Sequence, residues 1–235
     1  MTIIVFDGKH LVADGRRSYA DKDIPEYMDA DDVIKIKVLS KPWKFSSRLN
    51  ITAIAATGAV DDITMVIAEI NRSVETGETC HAFRKRFHTT FKQKFNCDIV
   101  AVGIEIDSDG KKTPTSLAIY LGSSGNESRI SREWNGHGNL SFYISAGWSP
   151  SLPARMKIND VFKSSVEVVS YVCATSERGC GGRLTRYDPL TGKLDHPKQT
   201  TPNKLLGINR KLMSARIRTI TFKHDDYENM IKKTV

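Results

Sequence analysis

The chain has 235 residues, 40% of them hydrophobic, and a formal net charge of +8. That length can bury a sizeable core within one compact domain. No run of about 18 apolar residues occurs, and the opening residues lack the apolar segment of a secretory signal, so a soluble, cytoplasmic protein with no membrane partner is expected.

Thr2-Ile3-Ile4-Val5-Phe6 reads as a first strand, Asp7-Gly8 as a turn and His10 to Ala13 as the return of a hairpin. Thr2 is also a residue with particular chemistry. Once Met1 is removed, its free α-amine, with an ordinary pKa of about 7.7 to 8.0, sits beside its own hydroxyl and can take the hydroxyl proton near neutral pH. Residues 16–32 form a polar, charged loop of the kind that borders a cleft. Strands are predicted over 33–39 and 51–57, then a helix over about 60–73. Phe83, Phe87, Phe91 and Phe95 recur every fourth residue, as on one side of a helix, with Arg84, Lys85, Arg86, Lys92 and Lys94 on the other.

Ile99 to Ile106 reads as a buried strand and Asp107-Ser108-Asp109-Gly110 as its turn. The stretch 126–139 is predicted to be an exposed hairpin with its loop. Residues 158–171 are helical in period, with Asn159 or Asp160 as N-cap. Gly179, Gly181 and Gly182 mark a tight turn into a last core strand near Leu184. From Tyr187 the composition becomes turn-rich and polar, Ala215 to Phe222 alternates like an added strand, and the last ten residues suit a short basic helix. The expected organisation is a core over 1–184 and a basic C-terminal extension over 185–235 packed on it. Cysteines 80, 97, 173 and 180 show no CxxC spacing, so neither a disulfide framework nor a zinc site is implied, and no cofactor is called for.

The order of these features resembles the proteasome-type N-terminal-nucleophile hydrolases, including bacterial proteasome-like and phage-encoded members. In that family a first strand begins with Thr, the second ends in Ala-Asp or Gly-Asp, a lysine sits on the next strand, and a later strand runs through a glycine turn into a helix. The matching residues are Thr2, Asp14 in Ala13-Asp14-Gly15, Lys35 with Lys37 as the alternative, and Gly58 in Thr57-Gly58-Ala59. The resemblance implies an α+β fold, a four-layer αββα sandwich with a C-terminal extension, and amide or peptide hydrolysis by Thr2. It gives Lys35 and Asp14 the task of orienting and tuning Thr2, because a neighbouring ammonium lowers the pKa of an amine. Gly58 would donate its N–H to the oxyanion.

Farther along the match is looser. Ser116 to Leu121 with Gly122-Ser123-Ser124-Gly125 resembles the family's internal hairpin. Leu140 to Gly147 resembles the strand that carries its active-site serine, which falls at Ala146 or, shifted by one, at Ser145. Thr175 to Gly182 resembles its Asp-x-x-Ser-Gly-Gly segment, with Glu177 for the aspartate and Cys180 for the serine. The nucleophile is untouched, while the residues that support it are altered. Ring-forming homo-oligomers are implied by the family, and a phage-encoded protein would act in the host cytoplasm.

Two rivals follow from the same residues. A catalytically silent scaffold of the same fold is favoured by the substitutions at Glu177 and Cys180. A nucleic-acid-associated binding protein would use the basic face at 84–94 and the basic tail, with weak, nonspecific affinity, since no established nucleic-acid recognition motif occurs. No Gly-x-Ser-x-Gly elbow supports a serine-histidine-aspartate enzyme.

Overall fold

A computed structural model describes residues 2–18, 29–91, 95, 97–121, 129–131, 143–145, 158–175 and 180–214. The chain is of the mixed α+β class, and the described residues form two five-stranded antiparallel sheets and a separate two-stranded ladder. The opening hairpin forms as its residues predict. β1 (Ile4–Phe6) and β2 (Leu11–Ala13) pair antiparallel, with Gly8 at φ 83° in the turn. Asp7 closes that turn by accepting from the N–H groups of Lys9 and His10 at 3.0 and 2.7 Å. β3 (Arg17–Ser18) and β4 (Asp29–Ala30) form the small ladder.

The second sheet is built from β5 (Ile36–Lys44), β6 (Leu49–Gly58), β7 (Cys97–Ile106), β8 (Lys112–Tyr120) and β9 (Arg129–Ser131), in that order. Of the hairpin predicted over 126–139, only residues 129–131 are described. Two helices, α1 (Val60–Thr76) and α2 (Cys80–Thr90), lie between β6 and β7 in sequence. The first sheet is completed by β10 (Tyr143–Ser145), which pairs with β1, and by β11 (Thr185–Asp188) and β12 (Lys193–Asp195), which follow β2. The compositional shift at Tyr187 therefore falls inside this sheet. The predicted strand over 215–222 and the terminal helix lie outside the described residues.

Strand alternation explains how the chain distributes its apolar side chains. Along the first strand, Ile3 and Val5 face one hydrophobic cluster and Ile4 and Phe6 face another. The second cluster joins the two sheets, combining Ile4, Phe6 and Leu11 with Ala53, Ala55, Val100 and Val102. The other face of the second sheet, through Ile54, Ile99 and Leu117, packs against Val66 and Ile70 of α1 and Phe83 and Phe87 of α2. On β6 the parity changes within the strand: Ile51 shares a cluster with Ile54, because a register shift between Ile51 and Ala53 inserts one residue.

The phenylalanine series departs from its predicted helix. Phe91 has extended backbone, φ −107° and ψ 103°, and ends α2, so Phe95 lies beyond it. The rings still meet: Phe95 lies 4.9 Å from Phe87 and 5.7 Å from Phe91, centroid to centroid. Arg86 also leaves the basic face assigned to it. It bonds Glu69 at 2.7 Å and Glu78 at 3.0 Å, tying α2 to α1.

The helix predicted over 158–171 is broken into α3 (Ile158–Val161) and α4 (Ser165–Thr175). The N-cap of the longer piece is not Asn159 or Asp160. Ser164 Oγ accepts from Glu167 N at 3.4 Å, and Glu167 Oε2 accepts from Lys163 N at 2.7 Å, a variant of the capping box in which the glutamate reaches the residue before the cap. Asp7 Oδ2 takes Ser165 N and Oγ at 3.0 and 2.7 Å, which fixes the break to the opening hairpin. A further helix, α5 (202–214), buries Ile208 and Leu212 in the cluster formed by α4 with Ile3, Val5 and Val12, and Lys204 pairs with Glu167. Among the described residues no helix is long and apolar enough to cross a membrane.

Candidate active site

Thr2 stands two residues before β1 and Asp14 immediately after β2. Antiparallel pairing of Ile4 with Ala13 therefore sets Asp14 opposite Ile3, next to Thr2. The backbone locks this arrangement, with Asp14 N donating to Ile3 O at 3.2 Å and Ile3 N donating to Asp14 Oδ1 at 2.9 Å. Lys35, immediately before β5, comes from the other sheet. Its ammonium donates to Asp14 Oδ1 at 2.9 Å and to Thr2 Oγ1 at 3.0 Å. Lys37, the alternative to Lys35 in the sequence, is exposed.

The Asp14 side chain is 0% exposed and that of Lys35 9%. A carboxylate so placed needs donors on both oxygens. Oδ1 has Ile3 N and Lys35; Oδ2 accepts from Gly181 N at 3.1 Å and from Arg16 N at 3.3 Å. The ammonium is thereby held with one bond on the threonine hydroxyl. An ammonium so placed polarises that oxygen and would stabilise negative charge on it.

Three segments meet behind this group. Gly15 N donates to Gly181 O at 2.9 Å, Val33 N to Gly15 O at 3.0 Å, and Arg183 N to Asp31 O at 2.6 Å. Such close approach leaves no room for side chains at Gly15 or Gly182, and Gly182 also has φ 73°. Arg16 adds a bidentate pair to Asp31 at 2.7 and 3.0 Å, and this hydrogen-bonded guanidinium holds the Asp31 carboxyl below its ordinary range.

Thr2 and Gly58 line one cleft, of about 460 Å3, between the start of β5, the end of β6 and α1. Gly58 is the last residue of β6 and has φ 133°, a conformation that side-chain-bearing residues rarely adopt. Ser145 is the last residue of β10, where its backbone pairs with Ile4. Ala146 and Glu177 lie outside the described residues. Cys180 is fully buried, and it is the next residue, Gly181, whose N–H reaches Asp14. Gly181 N, Arg16 N and the Arg16–Asp31 pair were not legible as site components. The doubled glycine after Cys180 was the available signal for a close backbone approach.

None of the four cysteines is in a disulfide, and no group of three or more His, Cys, Asp or Glu converges as a metal-binding set among the described residues. Burial pushes the thiols of Cys80 and Cys97 up to about 12. Cys173 is also pushed up, by burial first and then by the charge of Asp14. At pH 8 a thiol with such a pKa is ionised in only about one molecule in 10⁴. Native protein treated with iodoacetamide at pH 8 should thus be alkylated at Cys80 and Cys97 at least about a hundredfold more slowly than urea-unfolded protein. Peptide mapping of the adducts checks this, and rapid native alkylation of Cys180 would instead point to thiol chemistry beside Asp14.

No protein-family model matches this chain, and no curated protein matches it.

Proposed function

We propose that the chain is a proteasome-type N-terminal-nucleophile hydrolase that cleaves an amide or peptide bond with Thr2. The observation that carries this reading is the pair of bonds from Lys35 Nζ to Thr2 Oγ1 and Asp14 Oδ1. A structural ion pair needs no hydroxyl at its open end, whereas a threonine nucleophile gains from a cation beside the oxygen that becomes negative. The three hydrophobic clusters support the four-layer αββα arrangement: α1 and α2 on one sheet, sheet on sheet, and α4 and α5 on the other.

In the proposed reaction, removal of Met1 frees the Thr2 amine, which takes the Oγ1 proton as Oγ1 attacks the substrate carbonyl. Lys35 steadies the developing charge on Oγ1, and Gly58 N–H takes the carbonyl oxygen as it becomes an oxyanion. The amine returns its proton to the leaving nitrogen, and the C–N bond breaks. The acyl-threonine ester is then hydrolysed by water, the amine again acting as base. Action in the cytoplasm and assembly into a homo-oligomer belong to the same proposal.

Two measurements test it together. Intact mass should show a chain beginning at Thr2 in protein made in its native host. A β-lactone or epoxyketone probe should then add one equivalent at Thr2 and none in a Thr2→Ala variant. Processed protein that takes up no probe would leave a catalytically silent scaffold as the better account. Tight, sequence-selective nucleic-acid binding at physiological salt would favour the binding protein instead.

A further inference from the structure

The cleft beside Thr2 is uneven in a way the proposed chemistry does not require. One wall is aliphatic, made by Ala56 of β6 and by Val60, Ile63 and Ile67 of α1. Ile34 and Val60, also at this cleft, are 55% and 36% exposed, two of only six large hydrophobic residues left open among the described residues. Apolar surface kept open at a concave site gains by being covered with an apolar group. The charged residues lining the same cleft are, among the described residues, Arg16, Arg17, Lys35 and Lys37, with no aspartate or glutamate among them. Arg16 is committed to Asp31, and Lys35 to Asp14 and Thr2. Lys37 is exposed and has no ion-pair partner among the described residues.

Lys35 and Lys37 stand two residues apart, so their Cα atoms are separated by roughly 6.8 Å and, where the chain is extended, their side chains share a face. A negative group reaching Lys37 would then lie within one or two residues of the bond that Thr2 attacks. We infer that the cleft selects a peptide or amide substrate with an aliphatic side chain beside the scissile bond and a carboxylate on a neighbouring residue. This rests on Thr2 being the nucleophile. A cationic neighbour is disfavoured by the Lys37 ammonium, and a cleft wall of low dielectric strengthens that discrimination.

Processed protein and its Thr2→Ala variant test the inference with dye-labelled hexapeptides whose central leucine is flanked by glutamates, glutamines or lysines. Fluorescence polarisation on Thr2→Ala should give an order of affinity glutamate, glutamine, lysine, with at least about fivefold between the extremes. The gap should narrow as salt rises and should close or invert in Lys37→Glu. Turnover of the same peptides by processed wild-type protein should follow the same order in kcat/KM. Equal binding of all three peptides overturns the selectivity, whatever the turnover. Cleavage without preference overturns it while leaving the hydrolase intact. Selective binding with neither turnover nor probe labelling keeps the selectivity and removes the hydrolase.

Discussion

A Lys35→Met variant should lose probe labelling and any hydrolysis by at least about a hundredfold, and should also be less stable by about 3–5 kcal/mol. The two losses have different origins. The first follows from the 3.0 Å bond between Lys35 Nζ and Thr2 Oγ1, without which the attacking oxygen must develop charge beside a thioether. The second follows from Asp14, whose fully buried carboxylate would keep Ile3 N, Arg16 N and Gly181 N as donors but lose the one cation paired with it among the described residues. Removing one member of a buried pair strands the other's charge. A Lys35→Arg variant separates the two effects, because it restores positive charge near Asp14 while its planar fork aims donors differently from an ammonium. It should regain much of the urea-unfolding midpoint and little of the labelling. Wild-type labelling and midpoint in Lys35→Met would show that the Thr2–Asp14–Lys35 group is neither a catalytic device nor a structural one.

How much of this was legible in the chain differs from residue to residue. Thr2, Asp14 and Lys35 were readable because each lies within one or two residues of a strand end, and strand pairing alone brings strand ends together. The β6–α1 turn at Gly58 was readable for the same reason. The capping-box signature at Ser164 and Glu167 was also present in the chain, and it marked the start of α4 better than the apolar periodicity, which ran through the break at Phe162 to Ser164. Leu205, Ile208 and Leu212 carried helical spacing for α5 within a segment that read as turn-rich and polar.

Other features had no local sign. The inserted residue of β6 depends on Gly103 of the facing strand, where a Cβ would collide with Asn50. Arg86 reads as one more exposed basic residue until α1 brings Glu69 beside it. The meeting of residues 14–16, 31–33 and 181–183 spans most of the chain. No window of sequence contains it. What the window does contain is glycine at 15, 181 and 182, and the reason for each is supplied only by a distant carbonyl or side chain.

That dependence makes the glycines the sharpest test of the fold around the site, because the same substitution should cost very different amounts along one series. Gly182→Ala should be the worst, at about 3–5 kcal/mol: its φ of 73° disfavours any side chain, and a Cβ would overlap the backbone of Asp31. Asp31 cannot simply retreat, since its carbonyl accepts from Arg183 N and its carboxylate holds Arg16. Gly15→Ala meets the carbonyls of both Arg183 and Asp31 and should cost nearly as much. At Gly181 the obstacle is the Arg16 side chain, with its guanidinium carbon 2.8 Å from the added atom, and a side chain can swing aside; about 1–2 kcal/mol is expected, with the Arg16–Asp31 pair disturbed. Gly8→Ala has open space and only its φ of 83° to contend with, about 1 kcal/mol. Urea-unfolding midpoints of the four variants should fall in that order, and probe labelling of Thr2 should fail in Gly182→Ala and Gly15→Ala while surviving in Gly8→Ala. If Gly182→Ala unfolds at the wild-type midpoint, the segments at 31 and 182 do not touch, and the amide of Gly181 cannot be holding Asp14 as described.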